Sequence, residues 1–292
     1  MIKKKINIAI IGKGPWGKKI EKNIICNKEK INLIYKAGRD WNKFKKKIID
    51  GIIVATPPTT HFKIVYYFIK KKIPVFVEKP FCLNENEVLK LKQESEKNKS
   101  LIFVNYIHLY SKSWNFLKKK LVNLGKIKKI ESKGGNIGPF RINNPCLWDY
   151  GSHDLSMLFD IVKEPFLESE IKIIKKEKIN NSIGYLYKIN FRFKKLVSSI
   201  LIGNILEKKT RIFKIFCEKG VIIYDDTKKF TIIEKINNRK KKYKFDNNKN
   251  IEDSLNNFIQ CIKKKRGRHK SLFISLKISR AIEDLEKRTQ LT

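Results

Sequence analysis

Residues 12–17 read Gly12-Lys13-Gly14-Pro15-Trp16-Gly17, after the apolar run Ile8-Ala9-Ile10-Ile11 and before a helix-like stretch. The spacing is G-x-G-x-x-G. Gly12 permits a tight turn, Gly14 lets backbone approach a pyrophosphate, and Gly17 lets the helix pack close to the strand. Pro15 and Trp16 complete the loop, and N–H groups left free at the helix start would face the phosphates. The same residues make most of a P-loop, Gly12-x4-Gly17-Lys18. The next position, however, is Lys19, where Mg²⁺ binding needs Ser or Thr, and Pro15 removes an amide donor. A dinucleotide is therefore the expected ligand. Such a site needs an acidic residue about 20 positions on for the ribose 2′-OH. That region reads Tyr35-Lys36-Ala37-Gly38-Arg39-Asp40. Asp40 suits the ribose, whereas Lys36 and Arg39 suit a 2′-phosphate. NAD and NADP both stay open, with a lean to NADP.

Asp149 and His153 are four residues apart, so on a helix they share one face. An imidazole takes a hydroxyl proton near neutral pH, and a carboxylate beside it orients the ring and stabilises its charge. Hydride transfer from a carbinol needs that proton removed, and a nearby ammonium stabilises the developing alkoxide. Just before this helix lies the glycine-rich stretch Gly134-Gly135-Asn136-Ile137-Gly138-Pro139-Phe140-Arg141. It reads equally as a substrate loop, with Asn136 or Arg141 on hydroxyl or phosphate groups, and as a strand-ending turn. His108 and His269 carry no assigned role.

Positioning these residues requires alternating elements. Apolar runs at 6–11, 31–37, 51–55, 74–77 and 101–106 read as strands. Helix-like stretches at 18–28, 61–72 and 85–97 separate them, which predicts βαβ units and a parallel sheet. After about residue 110 the pattern changes. Helices are expected near 114–124 and 152–162, with the loop 134–145 between them. Six strand-like runs between 171 and 236 follow at short spacing and predict an antiparallel meander. Helices over 251–264 and 272–287 close the chain. The basic run Lys263–Lys270 reads as a solvated turn between them, with Gly267 as the helix stop.

The chain has 292 residues and a formal net charge of +38. Of its 66 basic residues, 57 are Lys and only 9 are Arg, and Lys is spread over nearly every segment. A nucleic-acid binder favours Arg gathered in a stripe, so the charge reads as codon bias, and no specific nucleic-acid partner is expected. No apolar run approaches the ~20 residues of a membrane span, and no signal-peptide pattern stands at the start. The five cysteines are scattered, odd in number and without a CxxC. That argues against a disulfide framework or a zinc site, and for a reduced cytoplasm.

Three further segments fall at carboxyl ends of strands, where an open α/β sheet places its chemistry. They are Thr56-Pro57-Pro58-Thr59-Thr60-His61, Glu78-Lys79-Pro80 and Trp148-Asp149-Tyr150-Gly151-Ser152-His153-Asp154. With the glycine loop, in this order, the chain resembles the glucose–fructose oxidoreductase / inositol dehydrogenase / MocA family over nearly its whole length. The resemblance implies a Rossmann domain, then an α/β domain whose open sheet often forms an oligomer interface. It also implies NAD(P)-dependent oxidation or reduction of a sugar, polyol or related carbonyl compound. Carried over, Lys79 lies beside the nicotinamide and the reacting hydroxyl, and Asp149 and His153 form the acid/base end. Thr56, Pro57 and His61 line the ribose and nicotinamide side, and Glu78 helps place the cofactor. Two features depart from the family pattern. The chain is short, which implies trimmed sheet or loop elements, and residues 103–108 lack the Arg-Phe pair common after this strand.

The expected fold is therefore α/β. It comprises a Rossmann doubly wound parallel sheet over residues 1–110 and a C-terminal α+β domain on a mostly antiparallel open sheet over residues 111–292. The expected activity is NAD(P)-dependent hydride transfer to or from a sugar, polyol or nucleotide-sugar, in a homo-oligomer without a metal. The alternative is a non-catalytic NAD(P)-binding sensor on the same fold, against which the intact Lys79, Asp149 and His153 stand.

Overall fold

The computed structural model describes residues 5–41, 49–140, 144–179, 182–229, 231–246 and 249–290. Strands Ile6–Ile11 (β1), Ile31–Ala37 (β2), Gly51–Val54 (β3), Val75–Glu78 (β4) and Ile102–Asn105 (β5) form a parallel sheet in the order β2-β1-β3-β4-β5. Every residue of β3, β4 and β5 is buried, as continuous Ile/Val/Phe runs require when helices cover both faces of a parallel sheet. Helix α1 (Pro15–Cys26) packs on β1 and β2, and α2 (His61–Lys70) packs on β3 and β4 beside α3 (Glu85–Asn98). The strand order reverses at β1, which makes the carboxyl ends of β1 and β3 the topological switch point.

The chain folds as two compact units, one of Met1–Ile107 with Ile251–Ser279, the other of His108–Asn250 with Arg280–Thr292. The expected boundary at residue 110 left the closing helices wholly with the second domain. Most of α6 (Asn250–Lys263) instead groups with the parallel sheet. Phe258 meets the rings of Phe76 and Phe103 at 5.6 and 5.7 Å, and Gly51 leaves room for Phe258 and Ile262. The amide of Val104 on the edge strand β5 donates to Ser271 Oγ at 2.9 Å, so helix α7 (Lys270–Gln290) satisfies an otherwise open edge. The turn between α6 and α7 stops at Lys265, whose φ is +49°, and not at Gly267. The Arg266 amide bonds back to Cys261 O and the Lys265 amide to Ile262 O, satisfying the last carbonyls.

The second unit carries an eight-stranded sheet in the order β13-β12-β11-β10-β6-β9-β8-β7. Its strands are Ile127–Ile137 (β6), Glu168–Ile179 (β7), Ser182–Arg192 (β8), Val197–Gly203 (β9), Ile205–Cys217 (β10), Gly220–Asp225 (β11), Ile232–Ile236 (β12) and Arg239–Tyr243 (β13). Helix α4 (Lys112–Leu121) packs on β11, and α5 (Cys146–Ile161) packs on β6, β8 and β9. The pairing is antiparallel except between β6 and β9. The sheet is therefore not the simple meander expected: β6, read from sequence as an unassigned stretch and a loop, is its centre. Four charged residues interrupt β6, and two of its inward positions are the small Ser132 and Gly134. The side chain of Asp154 from α5 occupies the space where a Cβ on Gly134 would stand, so close helix–sheet approach replaced the apolar signal. Among the described residues no helix is long and apolar enough to cross a membrane.

Candidate active site

Gly12 has φ +120°, and a Cβ there would collide with the Ala55 carbonyl at the end of β3. A Cβ on Gly17 would collide with the Gly12 carbonyl, so both glycines are set by close packing of loop, strand and helix. Gly14 differs: nothing lies within 4 Å of its Cβ position. It is the N-cap of α1, with no side-chain cap and no acidic residue in the first turn. Uncapped N–H donors facing open space are what a pyrophosphate needs, so these residues fit a dinucleotide. Pro15 opens the helix, where a missing N–H costs nothing. Trp16 follows, 38% exposed, with the Lys19 ammonium 4.9 Å over its ring.

At the end of β2, Arg39 and Asp40 are exposed, and Asp40 Oδ1 accepts from the Gly38 amide at 3.2 Å. Lys36 pairs with Glu21 at 2.6 Å, which leaves Arg39 as the nearer basic candidate for a 2′-phosphate. After β3, Thr56 accepts from the Thr60 hydroxyl at 2.7 Å, and Pro57 is exposed. The His61 ring is fully buried, with Nδ1 3.0 Å from Pro80 O and 3.1 Å from Phe81 O, and Nε2 2.9 Å from Thr56 O. Burial lowers its pKa against these carbonyls. It ties the Thr56 turn to the Glu78-Lys79-Pro80 turn.

Glu78 ends β4 and is buried. Its Oε1 accepts from Asn105 Nδ2 at 2.7 Å, Asn105 Oδ1 accepts from Ser254 Oγ at 2.5 Å, and the Trp16 indole also donates to Glu78. This network joins the glycine loop to β4, β5 and α6. Burial pushes the Glu78 carboxyl from 4.5 up to about 7, against the pull of those donors and the Lys79 charge. The folded state thus holds a proton that the unfolded chain releases near pH 4.5. The associated stability is complete below that value and falls as pH rises through about 7. Glu78→Gln removes the titration, so its stability relative to the wild type is expected to rise by about 3 kcal/mol from pH 4 to pH 8. Urea unfolding at the two pH values measures this, and an unchanged difference would contradict the buried-carboxyl reading. Lys79 follows on the same turn and is half-buried.

In the second unit, α5 begins at Cys146, six residues before the expected start, and carries both Asp149 and His153. Asp149 is buried in the first turn, where the helix dipole favours a carboxylate. The next acid, Asp154, anchors the helix: Arg211 Nη1 lies 2.8 Å from its Oδ2, and Ser132 Oγ donates to its Oδ1. Burial raises its pKa against that pair. Trp148 donates to Glu286 at 2.9 Å. His108, unassigned from sequence, packs its ring edge-to-face with His153, 5.1 Å between centroids. Asn136 lies in β6, partly exposed, so the glycine-rich stretch is strand to residue 137 and not a loop. Arg141 lies outside the described residues. Among the described residues no cluster of three or more His, Cys, Asp or Glu could hold a metal.

Sequence reading missed Asn105, Ser254, His108, Tyr224, Asp226 and the Asp154–Arg211 pair. Their partners are distant in sequence: 149 residues separate Asn105 from Ser254 and 57 separate Asp154 from Arg211. The one local signal was the segment 103–108, which lacks an Arg-Phe pair and carries both Asn105 and His108.

Residues 39–106 match an oxidoreductase family with an NAD-binding Rossmann fold, GFO_IDH_MocA. The chain is 24% identical over 228 residues to myo-inositol 2-dehydrogenase of Thermotoga maritima, covering 70% of this chain. It spans 65% of the length of that curated relative. A dehydrogenase from Chromobacterium violaceum superposes with a TM-score of 0.84 at 13% identity, covering 97% of this chain and 94% of the other. UDP-N-acetylglucosamine 3-dehydrogenase from Acidithiobacillus ferrooxidans does so with 0.78 at 14% identity, covering 98% and 99%.

Proposed function

We propose that the chain is a member of the Gfo/Idh/MocA family of oxidoreductases, with NAD or NADP as its cofactor, and that it oxidises or reduces a sugar, polyol or nucleotide-sugar at a hydroxyl-bearing carbon. The observation that carries this reading is the open, uncapped glycine cradle, with the Thr56 and Glu78-Lys79 turns at the carboxyl ends of the neighbouring strands β3 and β4. The likeness to an inositol dehydrogenase and a nucleotide-sugar dehydrogenase supports the substrate class.

The nicotinamide, when bound, supplies the hydride donor or acceptor. The chain's own residues do the rest. The α1 amides and Gly14 hold the pyrophosphate, Arg39 or Asp40 contacts the adenosine ribose end, and Thr56 and Pro57 line the nicotinamide side. Glu78 and Trp16 brace the loop. Lys79 stabilises the alkoxide, His153 takes the hydroxyl proton in oxidation, and Asp149 orients and charge-balances His153. Asn136 and Arg141 contact substrate hydroxyls or phosphate. The chain acts as a homo-oligomer through its second sheet, a reading supported by Ile173, Ile183 and Val197 exposed on its strands.

A panel of sugars and nucleotide-sugars, followed by nicotinamide absorbance, tests the activity. Turnover on none of them would leave a cofactor-binding sensor. Gly14→Val tests the cradle. Gly14 has φ −71°, which Val adopts freely, so the variant is expected to fold while its Cβ fills the space required by the pyrophosphate. NADH fluorescence titration should show affinity lowered at least tenfold. Unchanged affinity would overturn the assignment.

A further inference from the structure

The three-residue cluster behind His153 belongs to no role assigned above. His108 lies in the short helical turn Ile107–Tyr110, 5% exposed. Its Nδ1 is 3.0 Å from the Tyr224 hydroxyl and 3.5 Å from Asp226 Oδ2. Its ring meets that of His153 edge-to-face at 5.1 Å. Tyr224 ends near Ser111 and Ser113, and both bond to its hydroxyl. Asp226 is mostly buried, with Arg211, Lys209, Asp225 and Asp154 as its charged neighbours.

We propose that His108 is a positioning residue for His153: carboxylate and hydroxyl hold positive charge on the His108 ring, and that charge keeps the adjacent His153 neutral and ready to accept a proton. Two imidazoles in van der Waals contact inside a protein cannot both be charged without strong repulsion. Asp226 decides which ring is charged first, because it faces His108. Burial raises the Asp226 pKa against the Arg211 and Lys209 charges; when the carboxylate is ionised, a cation at contact distance offsets that cost. A base that stays neutral at lower pH extends the range over which substrate oxidation proceeds. The inference rests on the reading of His153 as the base, but its test does not.

The chain has four histidines, His61, His108, His153 and His269. Their ring C–H signals can be assigned by single replacement and titrated by NMR in the free protein. In the wild type, His153 is expected to titrate below His108, because the charge on His108 opposes the pull of Asp149 on the same helix. In His108→Gln the His153 midpoint should rise by about one pH unit, the size of effect a neighbouring charge exerts when partly balanced. An unchanged His153 midpoint in the folded variant would overturn the proposal. Asp226→Asn reads the same pair from the other side and serves if His108→Gln does not fold: the His108 midpoint should fall, and unchanged titration of both rings would overturn the proposal. Coupled titration in a protein that turns over no sugar would reject the proposed function and leave the coupling standing. Turnover with independent titrations would do the reverse.

Discussion

His153→Asn is expected to erase the neutral-range limb of the kcat/KM–pH profile for oxidation and to lower the rate by about 10²–10⁴, the usual worth of a positioned base. The limb arises because a protonated imidazole cannot accept the hydroxyl proton, so the rate climbs as the ring becomes neutral. Asp149 sits four residues earlier on α5, one helical turn away on the same face. Its negative charge favours the imidazolium and so raises the proton affinity of His153. Asp149→Asn should therefore keep the limb, move it to lower pH and reduce the maximum rate. The helix that carries both residues is held on the sheet by the buried Asp154–Arg211 pair, so these changes leave the scaffold intact. Stopped-flow or steady-state profiles over pH 5–9 provide the measurement. If Lys79 is the proton acceptor instead, the limb survives in His153→Asn and vanishes in Lys79→Met.

Lys79→Ala is expected to lower kcat by at least about 10², with cofactor affinity nearly unchanged. The ammonium interacts most strongly with the oxyanion that develops in the transition state, so its loss acts on turnover more than on binding. The structure supports such a role through the backbone on either side of Lys79. Glu78 is held by Asn105 and Trp16, and the carbonyls of Pro80 and Phe81 meet the buried His61 ring. So constrained a turn fixes the backbone from which the Lys79 side chain projects. Near-normal turnover in a folded Lys79→Ala protein that still binds NADH would remove Lys79 from the site. A parallel loss of NADH affinity would make it a cofactor-binding residue.

Much of this molecule was legible in the residues themselves. The parallel sheet was written as apolar runs at βαβ spacing, and β2 spans the expected Ile31–Ala37. Gly12 and Gly17 stood where strand, turn and helix meet, and Asp149 and His153 share α5 as their spacing requires. These features are local: periodicity and short motifs depend on neighbours a few residues away. The tertiary structure alone decided the rest. It made Ile127–Ile137 the central strand of the second sheet, because Asp154 from another element fills the space above Gly134. It buried the His61 ring as a clamp between two backbone turns. It raised the Glu78 pKa by burial, against the pull of the Asn105 and Trp16 donors, and it set His108 against His153, Tyr224 and Asp226. Burial and proton affinity depend on which distant side chains share a low-dielectric space, and contacts across 19, 27 or 116 residues leave no periodic trace in the chain that makes them.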